Sequence, residues 1–326
     1  MPANPATGLR AITWYRTGGT CDSFHEPAST AECAALMADI RRRGIPWFVL
    51  GAGSNSLVSD RHFAGAVISC RRLLRLERDG NRVTVGAGLE NTGLAEFCLT
   101  HSLAGAAWMN RLPGQLGATV RMNARCYDGE ISQIVHSLEA VTPSGEVLKL
   151  PAAGLFRGYK DTVFMENRQI ITGITLELTP GEPAAIQEKM DFCEKDRISK
   201  HQFDHPSCGC VFKNPYDAGV PAGMLLEAAG AGKFTEGKAE VNPYHANFVF
   251  NKGESADRII QLTLRMRRQV YEAFGVWLEY EMEILGELSE ELRGKVREQQ
   301  PASFQEDKLA PLRRKFQSKT SGSDQA

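Results

Sequence analysis

Hydrophobic positions recur with helical spacing in two long segments of the chain. The first stripe consists of Cys33, Leu36, Met37 and Ile40, and the second of Ile259, Leu262, Met266, Val270 and Phe274. Residues three and four apart lie on one face of a helix, so each stripe predicts a helix that is buried on one side. Ser29 and Glu32 fit a capping box before the first stripe. Gly44 and Gly275 then end the two helices.

Short apolar or alternating runs elsewhere in the chain predict strands. These runs are Trp47–Leu50, Gly65–Cys70, Arg82–Gly86, Leu138–Val141, Glu146–Leu150, Gln169–Leu178 and Val276–Leu285. Further helices are predicted around Leu94, ending near Gly105, and over residues 184–201. A hairpin is predicted around Pro143-Ser144-Gly145, between Leu138–Val141 and Glu146–Leu150. Because helices and strands are interleaved without a long βαβ series, the pattern favours an α+β fold over a doubly wound parallel sheet.

A run of turn-forming residues, Pro180-Gly181-Glu182-Pro183, marks the best internal boundary. It predicts that one domain ends at about residue 180 and that a second begins at residue 181. From Leu288 onward the chain is charged and rich in glutamine. Residues 287–326 are therefore predicted to form a frayed helix followed by disorder.

Composition and charge exclude several classes of function. The 326 residues include 38 basic and 39 acidic side chains, so nucleic-acid binding through bulk charge is not expected. No apolar run approaches the roughly 18 residues that cross a bilayer, and the N-terminus has no apolar signal core. The eight scattered cysteines suit a reducing compartment. We therefore expect a cytoplasmic protein without nucleic-acid or membrane partners.

Two loops of small residues are candidates for binding phosphate. Gly51-Ala52-Gly53-Ser54-Asn55-Ser56 follows a predicted strand, but Ser56 stands where the dinucleotide fingerprint needs its third glycine. A Rossmann fold is therefore disfavoured, although the backbone N–H groups could still approach a phosphate. The second loop, Pro113-Gly114-Gln115-Leu116-Gly117-Ala118-Thr119, has a similar character. Together they could hold the two phosphates of a dinucleotide; the alternative is that both are ordinary turns.

Three other features carry weaker signals. Cys208-Gly209-Cys210 lacks the spacing of a zinc knuckle and has no second cysteine pair, so no metal site is expected. A lone histidine such as His245 is more often structural than catalytic. The alternation after Gly275 places Glu281 on one strand face with Glu279 and Glu283, and a solvated face is the ordinary interpretation.

Taken in order, these segments resemble the UDP-N-acetylenolpyruvoylglucosamine reductase (MurB) family from about Tyr15 to Gly286. Besides the two loops, the matching segments are Tyr15-Arg16-Thr17-Gly18-Gly19, Gly158-Tyr159-Lys160-Asp161-Thr162-Val163-Phe164, Gly209-Cys210-Val211-Phe212-Lys213-Asn214-Pro215, Ala222-Gly223-Met224-Leu225-Leu226-Glu227, His245-Ala246-Asn247-Phe248 and Phe274-Gly275-Val276-Trp277-Leu278-Glu279-Tyr280-Glu281. The short interval between Lys160 and Cys210 is similar to the type of the family that lacks an inserted tyrosine loop.

The resemblance implies an α+β flavoprotein with a two-lobed FAD domain of the vanillyl-alcohol-oxidase-like (PCMH) type. The lobes would cover about residues 1–62 and 63–180, and residues 181–286 would bind substrate. The residues implied to bind FAD are Gly51, Ala52, Gly53, Ser54, Asn55, Ser56, Pro113, Gly114, Gly117, Ala118 and Thr119. The implied partners are NADPH and a UDP-sugar enolpyruvyl ether, and we expect a monomer.

The implied reaction reduces UDP-N-acetylglucosamine enolpyruvate to UDP-N-acetylmuramate in peptidoglycan precursor synthesis. Hydride passes from NADPH through FAD to the enolpyruvyl β-carbon, and the α-carbon is then protonated. The resemblance assigns catalysis to Lys160, Cys210 and Glu281, with Cys210 as proton donor. It assigns substrate binding to Tyr159, Lys213, Asn214 and His245. A thiol suits the donor role because its ordinary pKa of about 8.5 keeps it mostly protonated at neutral pH.

The chain departs from the family pattern at three positions. The family's tyrosine-arginine pair is Tyr159-Lys160 here, and its asparagine-alanine-glycine step is Asn123-Ala124-Arg125. Ala118 replaces a glycine of the second loop. The lysine matters because an arginine can bind a carboxylate with two parallel hydrogen bonds, whereas lysine acts as a point charge.

Two alternative functions remain at the level of sequence. One is a flavoprotein oxidase or dehydrogenase of the same FAD fold that acts on another small molecule. Such an enzyme would have no use for Cys210, Lys160 and Glu281 together. The other is a non-catalytic protein that binds a flavin or a nucleotide sugar, which the presence or absence of bound yellow flavin would address.

Overall fold

Helices and strands alternate along the chain in the computed structural model, which describes residues 8–323. The α-helices are α1 Thr30–Arg43, α2 Asn91–Thr100, α3 Leu116–Arg121, α4 Pro183–Ser199, α5 Ala222–Ala228, α6 Ala256–Phe274, α7 Glu290–Arg297 and α8 Glu306–Ser323. The strands are β1 Cys21–His25, β2 Trp47–Leu50, β3 Ser56–Val58, β4 Phe63–Ser69, β5 Leu76–Asp79, β6 Arg82–Gly86, β7 Leu103–Ala104, β8 Arg125–Cys126, β9 Gly129–Glu130, β10 Val135–Val141, β11 Val147–Pro151, β12 Phe156–Gly158, β13 Asp161–Thr162, β14 Ile170–Glu177, β15 Thr179–Pro180, β16 Thr235–Glu236, β17 Ala239–Val241, β18 Val249–Asn251 and β19 Glu283–Leu285. This mixture is the α+β class that the hydrophobic pattern predicted.

The described chain divides into two compact units. The first contains Thr20–Ser54 and His62–Ser199, and the second contains Leu9–Gly19, Asn55–Arg61 and the chain from Lys200 onward. The predicted boundary after residue 180 therefore lies before α4, whereas the structure places the division after it. The reason is that Ile186 and Met190 of α4 pack in one buried cluster with a residue of α2, and the carbonyl of Met190 accepts a hydrogen bond from Asn110.

The first unit is built on two sheets. The three-stranded sheet has the order β1–β4–β2 with parallel strands, and the five-stranded sheet has the order β11–β10–β14–β6–β5 with antiparallel strands. The hairpin of β10 and β11 is the one predicted from Pro143-Ser144-Gly145. Helix α1 also follows its prediction: the Ser29 hydroxyl accepts from the Glu32 amide at 3.2 Å, and Gly44 ends the helix with φ 64°. Its residues Cys33, Met37 and Ile40 are buried.

The second unit is organised around α6, whose buried stripe was also predicted. Ser255 caps the start of the helix and Gly275 ends it with φ 67°. The strand predicted over residues 276–285 is shorter in the structure, since only Glu283–Leu285 forms a strand, which pairs in parallel with β3. Val276, Leu278 and Met282 are buried as the alternation indicated. Within the described residues, the backbone just before Glu283 is paired through isolated contacts, such as the bridge between Tyr280 and Phe212.

The segment predicted to be a disordered tail instead contains α7 and α8 within the described residues. Leu292 and Leu309 are buried in the core of the second unit. The fully buried Arg267 of α6 donates to the carbonyls of Lys295 and Val296 at 2.6 and 3.2 Å. Sequence composition missed this packing because a few apolar residues and one cation fix the segment, against a mostly charged background.

Arg267 thus provides a test of this packing. Arg267→Met keeps much of the buried volume but leaves two carbonyls at the end of α7 without their donor. We expect a loss of roughly 2–4 kcal/mol in unfolding free energy and faster proteolysis within residues 287–318. Chemical denaturation and timed digestion measure these effects. Arg268→Met, at the adjacent exposed position of the same helix, is the control and should change neither; equal effects of both variants would contradict the assignment.

Candidate active site

The two glycine loops lie against each other in the first unit. The first loop begins directly after β2, and Gly53 takes the left-handed conformation with φ 66°. Gly114 of the second loop has φ 119°, and a Cβ atom added there would lie 2.6 Å from the Ser54 hydroxyl. A Cβ atom added at Gly51 would lie 3.3 Å from Oε1 of Gln115. Glycine is required at Gly114 both for its backbone conformation and for this close approach.

The polar atoms of these loops fit a phosphate-containing ligand such as FAD. Among the described residues, the structure records no backbone acceptor for the amides of Ala52, Gly53 and Ser54. Oε1 of Gln115 is buried and has no hydrogen-bond partner among the described residues. Buried polar atoms are normally paired, so this arrangement is typical of a site that is completed by a ligand.

Two backbone amides of the second loop are already hydrogen-bonded within the protein. The amides of Leu116 and Gly117 already donate to the carbonyls of Leu89 and Ala87, both at 2.9 Å. The buried Thr119 hydroxyl donates to Asn91 at 2.8 Å. These bonds hold the start of α3 in place, so the amides of Leu116 and Gly117 are already engaged within the protein.

The predicted pair Tyr159-Lys160 forms the two-residue turn of the hairpin β12–β13 in the first unit. Lys160 is 9% exposed and has φ 52°, a left-handed conformation that is uncommon for a lysine. Such backbone conformations cost of order 1–3 kcal/mol and cluster at functional sites. The hairpin is tied to the preceding chain because Asn123 donates to the Gly158 carbonyl at 2.9 Å.

The predicted proton donor Cys210 lies in the second unit, beside a segment held by Asn247. The Asn247 carbonyl accepts from the Val211 amide at 2.8 Å. Its buried side chain accepts from the Phe212 amide at 3.0 Å and donates to the Phe212 carbonyl at 2.8 Å. These three bonds fix the backbone immediately after Cys210, which is itself partly exposed.

Glu281 is joined to the same backbone. Its amide donates to the Val211 carbonyl at 2.9 Å, and its own carbonyl accepts from the Asn55 side chain at 3.0 Å. Burial raises the pKa of the neighbouring Cys208 thiol, and its interactions with Cys210 and Glu281 act in the same direction. The second unit therefore brings Cys210 and Glu281 into one electrostatic neighbourhood, in which Cys208 stays protonated at neutral pH.

The structure gives the other predicted residues more specific positions. Lys213 forms a 3.4 Å ion pair with Glu279, and the Asn214 side chain accepts from the Ala222 amide at the start of α5. Nδ1 of His245 lies 3.3 Å from the Asn247 amide, which places the ring proton on Nε2 when this bond forms.

Two residues of the first glycine loop also have contacts that the pattern did not indicate. Asn55 and Ser56 belong to the second unit. Asn55 binds the backbone of Glu281 and Glu283, and Ser56 begins the strand that pairs with β19. Asn247 was part of a quoted motif, but only its buried position shows what it does. The two glycine loops up to Ser54, Tyr159 and Lys160 lie in the first unit, and Cys210, Lys213, Asn214, His245 and Glu281 lie in the second.

Neither a metal cluster nor a membrane-spanning helix is found in the described part of the chain. Within residues 8–323 no three or more His, Cys, Asp or Glu side chains are arranged to hold a metal ion. None of the helices there combines the length and apolar character needed to cross a membrane.

Comparison with known proteins matches both parts of the chain. A family model described as a FAD-binding domain matches residues 22–151, and one for the C-terminal domain of UDP-N-acetylenolpyruvoylglucosamine reductase matches residues 201–285. The reductase of that name from Clostridium novyi is 33% identical to this chain, and the match covers 86% of this chain and 92% of the relative. The one from Treponema pallidum is 35% identical, and the match covers 84% of this chain and 90% of the relative. The crystal structure of MurB from Thermus caldophilus has a TM-score of 0.74 at 27% identity and covers 87% of this chain and 99% of its own.

These matches, with the paired glycine loops, define the chain as a flavin-dependent oxidoreductase that has an FAD-binding domain and a separate C-terminal domain. It belongs to the UDP-N-acetylenolpyruvoylglucosamine reductase (MurB) family. The family and fold expected from the sequence motifs are confirmed.

The approach of the two loops gives a test of FAD binding. Gly114→Ala introduces a methyl group 2.6 Å from the Ser54 hydroxyl, which must then move, and it strains a backbone whose φ of 119° side chains rarely adopt. We expect the purified variant to carry well under half of the wild-type flavin, measured by absorbance against protein concentration. Gly80→Ala is the control, because Gly80 also has a positive φ of 58° but no atom of the described chain lies within 4 Å of an added Cβ. Full flavin occupancy in Gly114→Ala would remove this loop from the cofactor site.

Proposed function

We propose that this chain reduces UDP-N-acetylglucosamine enolpyruvate to UDP-N-acetylmuramate in peptidoglycan precursor synthesis, with FAD as cofactor and NADPH as reductant. The observation that carries the proposal is that family models match both the FAD-binding part and the C-terminal part of the chain. A hydrogen bond from the Glu281 amide to the carbonyl of Val211, the residue after Cys210, supports it. The match over residues 201–285 favours this reductase over an oxidase that shares only the FAD domain.

Bound FAD supplies the hydride relay between NADPH and the β-carbon of the enolpyruvyl group. The chain's own residues must then deliver one proton to the α-carbon and stabilise the negative charge that grows on the substrate carboxylate. In our proposal the Cys210 thiol gives its proton to the α-carbon, since the position offers a small, partly exposed side chain with a transferable proton. Lys160 stabilises the negative charge that grows on the substrate carboxylate, an electrostatic role that the low exposure of its site strengthens.

Glu281 needs a different explanation, because a carboxylate is a poor neighbour for an anion. We propose that it meets the substrate through a shared proton, either on its own carboxyl group or on the substrate. Tyr159, Lys213, Asn214 and His245 would bind and orient the rest of the substrate. The amide side chain of Asn214 also caps α5, so part of its contribution would be to hold the local backbone.

We further propose that the enzyme is a cytoplasmic monomer. All eight cysteines are free thiols in the described chain, which suits a reducing compartment. Gel filtration with light scattering measures the oligomeric state directly.

Separate measurement of the two half-reactions tests Cys210. Cys210→Ala should leave the reduction of bound flavin by NADPH within about twofold of wild type. It should slow reoxidation by the enolpyruvyl substrate by roughly 10²-fold or more, a typical contribution of general acid catalysis. Stopped-flow flavin absorbance follows both steps.

Two variants serve as controls for this experiment. Cys210→Ser keeps a transferable proton and should retain measurable reoxidation. Cys193→Ala removes a buried thiol of the first unit and should leave both half-reactions unchanged. Flavin reoxidation at the wild-type rate in Cys210→Ala would show that Cys210 is not the proton donor.

Glu281→Gln tests the glutamate against its neighbour. The amide cannot share a proton as a carboxyl group does, so we expect turnover to fall by roughly 10²-fold. Glu279→Gln alters an exposed residue that pairs with Lys213 and should cost severalfold at most. Similar small losses in both variants would favour a solvated glutamate face without a catalytic role.

A further inference from the structure

One buried polar side chain beside the glycine loops has not yet been given a role. Gln115 belongs to the second loop and is 7% exposed, and its Oε1 has no hydrogen-bond partner among the described residues. Buried carbonyl oxygens are normally paired, so a ligand that places a donor at this point would complete the hydrogen bonding of Oε1.

The backbone of Gln115 is held in place by its neighbours. Its carbonyl accepts hydrogen bonds from the amides of Ala118 and Thr119, both at 3.0 Å, and it forms an isolated bridge with Glu90. The nearby Thr119 hydroxyl is engaged elsewhere, since it donates to Asn91 at 2.8 Å. The side chain therefore starts from a fixed point, and the protein presents its oxygen without a donor of its own.

Oε1 of Gln115 lies against the first glycine loop. A Cβ atom added at Gly51 would lie 3.3 Å from it. The next three residues, Ala52, Gly53 and Ser54, carry the amides for which the described chain provides no backbone acceptor. Because consecutive Cα atoms are about 3.8 Å apart, the unpaired acceptor and the unpaired donors belong to one small site.

These two kinds of group require different parts of a ligand. The pyrophosphate oxygens of FAD carry no proton at neutral pH, so they suit the amides of the first loop and cannot donate to Oε1. The ribityl chain and the ribose are bonded directly to the pyrophosphate, and their hydroxyl groups can donate. The adenine amino group and the flavin ring N–H also donate, but they stand at the two far ends of FAD.

We propose that Oε1 of Gln115 accepts a hydrogen bond from a hydroxyl group next to the pyrophosphate of FAD, on its ribityl or its ribose side. The inference rests on the proposed function, since it adds Gln115 to the residues that bind the cofactor of that reaction. Loss of the acceptor would leave the bound hydroxyl unpaired, whereas the FAD-free protein would lose no hydrogen bond at Oε1.

Replacement of Gln115 by leucine separates these two effects. Gln115→Leu keeps a side chain of similar size and removes the acceptor. We expect the Kd for FAD to rise roughly 10- to 100-fold, measured by calorimetric titration of the full chain after its FAD has been removed. The Tm of the same FAD-free protein should not fall, because Oε1 has no partner within the protein to lose.

Two fragments of FAD show which side supplies the hydroxyl. FMN contains the ribityl hydroxyls and a phosphate, and ADP contains the ribose hydroxyls and a pyrophosphate. Gln115→Leu should weaken the binding of one fragment alone, which is FMN for a ribityl contact and ADP for a ribose contact. An equal loss with both fragments would place the contact at the phosphates and overturn the assignment to a hydroxyl.

A matched glutamine variant controls for the substitution itself. Gln187 is an exposed residue of α4 in the same unit, where its Nε2 donates to Asp191 at 2.7 Å. Gln187→Leu should leave the Kd for FAD at its wild-type value. If Gln115→Leu does not fold, Gln115→Met takes its place with the same expected loss, because its flexible side chain fills a similar volume.

Two further results would overturn the inference. One is a wild-type Kd for FAD in the Gln115 variant, and the other is a lowered Tm of the FAD-free variant, which would give Gln115 a structural role. The titrations use neither NADPH nor the enolpyruvyl substrate, so they can be interpreted even if the proposed reaction fails. A wild-type chain that binds no FAD would instead refute the proposed function, and the inference with it.

Discussion

The candidate chemistry of the second unit depends on how Asn247 binds the backbone after Cys210. One buried asparagine reproduces the hydrogen-bond pattern of a neighbouring strand over Val211 and Phe212, where no regular strand is present. The Val211 carbonyl accepts a hydrogen bond from the Glu281 amide. Because these bonds are buried, the loss of one partner would leave backbone groups unpaired at considerable cost. The segments that carry Cys210 and Glu281 are therefore held rigidly although both lie in irregular chain.

The first unit uses a different constraint, which is the absence of side chains. The two glycine loops approach so closely that a methyl group at Gly114 would meet Ser54. Gly51 of the first loop also lies close to the side-chain oxygen of Gln115, which has no hydrogen-bond partner among the described residues. The backbone of the first unit is also strained at Lys160, which has a left-handed conformation. Such strain requires support from the surrounding chain, to which the hydrogen bond from Asn123 to the Gly158 carbonyl contributes.

The sequence by itself determined the elements whose signals are local. Helices α1 and α6 follow from an apolar stripe with a serine before it and a glycine after it, and the hairpin of β10 and β11 follows from its turn. The ordered motifs also identified the family, since they require only residue types in a fixed sequence. Tertiary structure decided the rest. It placed α4 with the first unit through two apolar residues, and it packed α7 and α8 through Arg267 and a few leucines. It also gave Asn55 and Asn247 their roles, because each acts on residues distant in the chain, and such contacts leave no periodic signal.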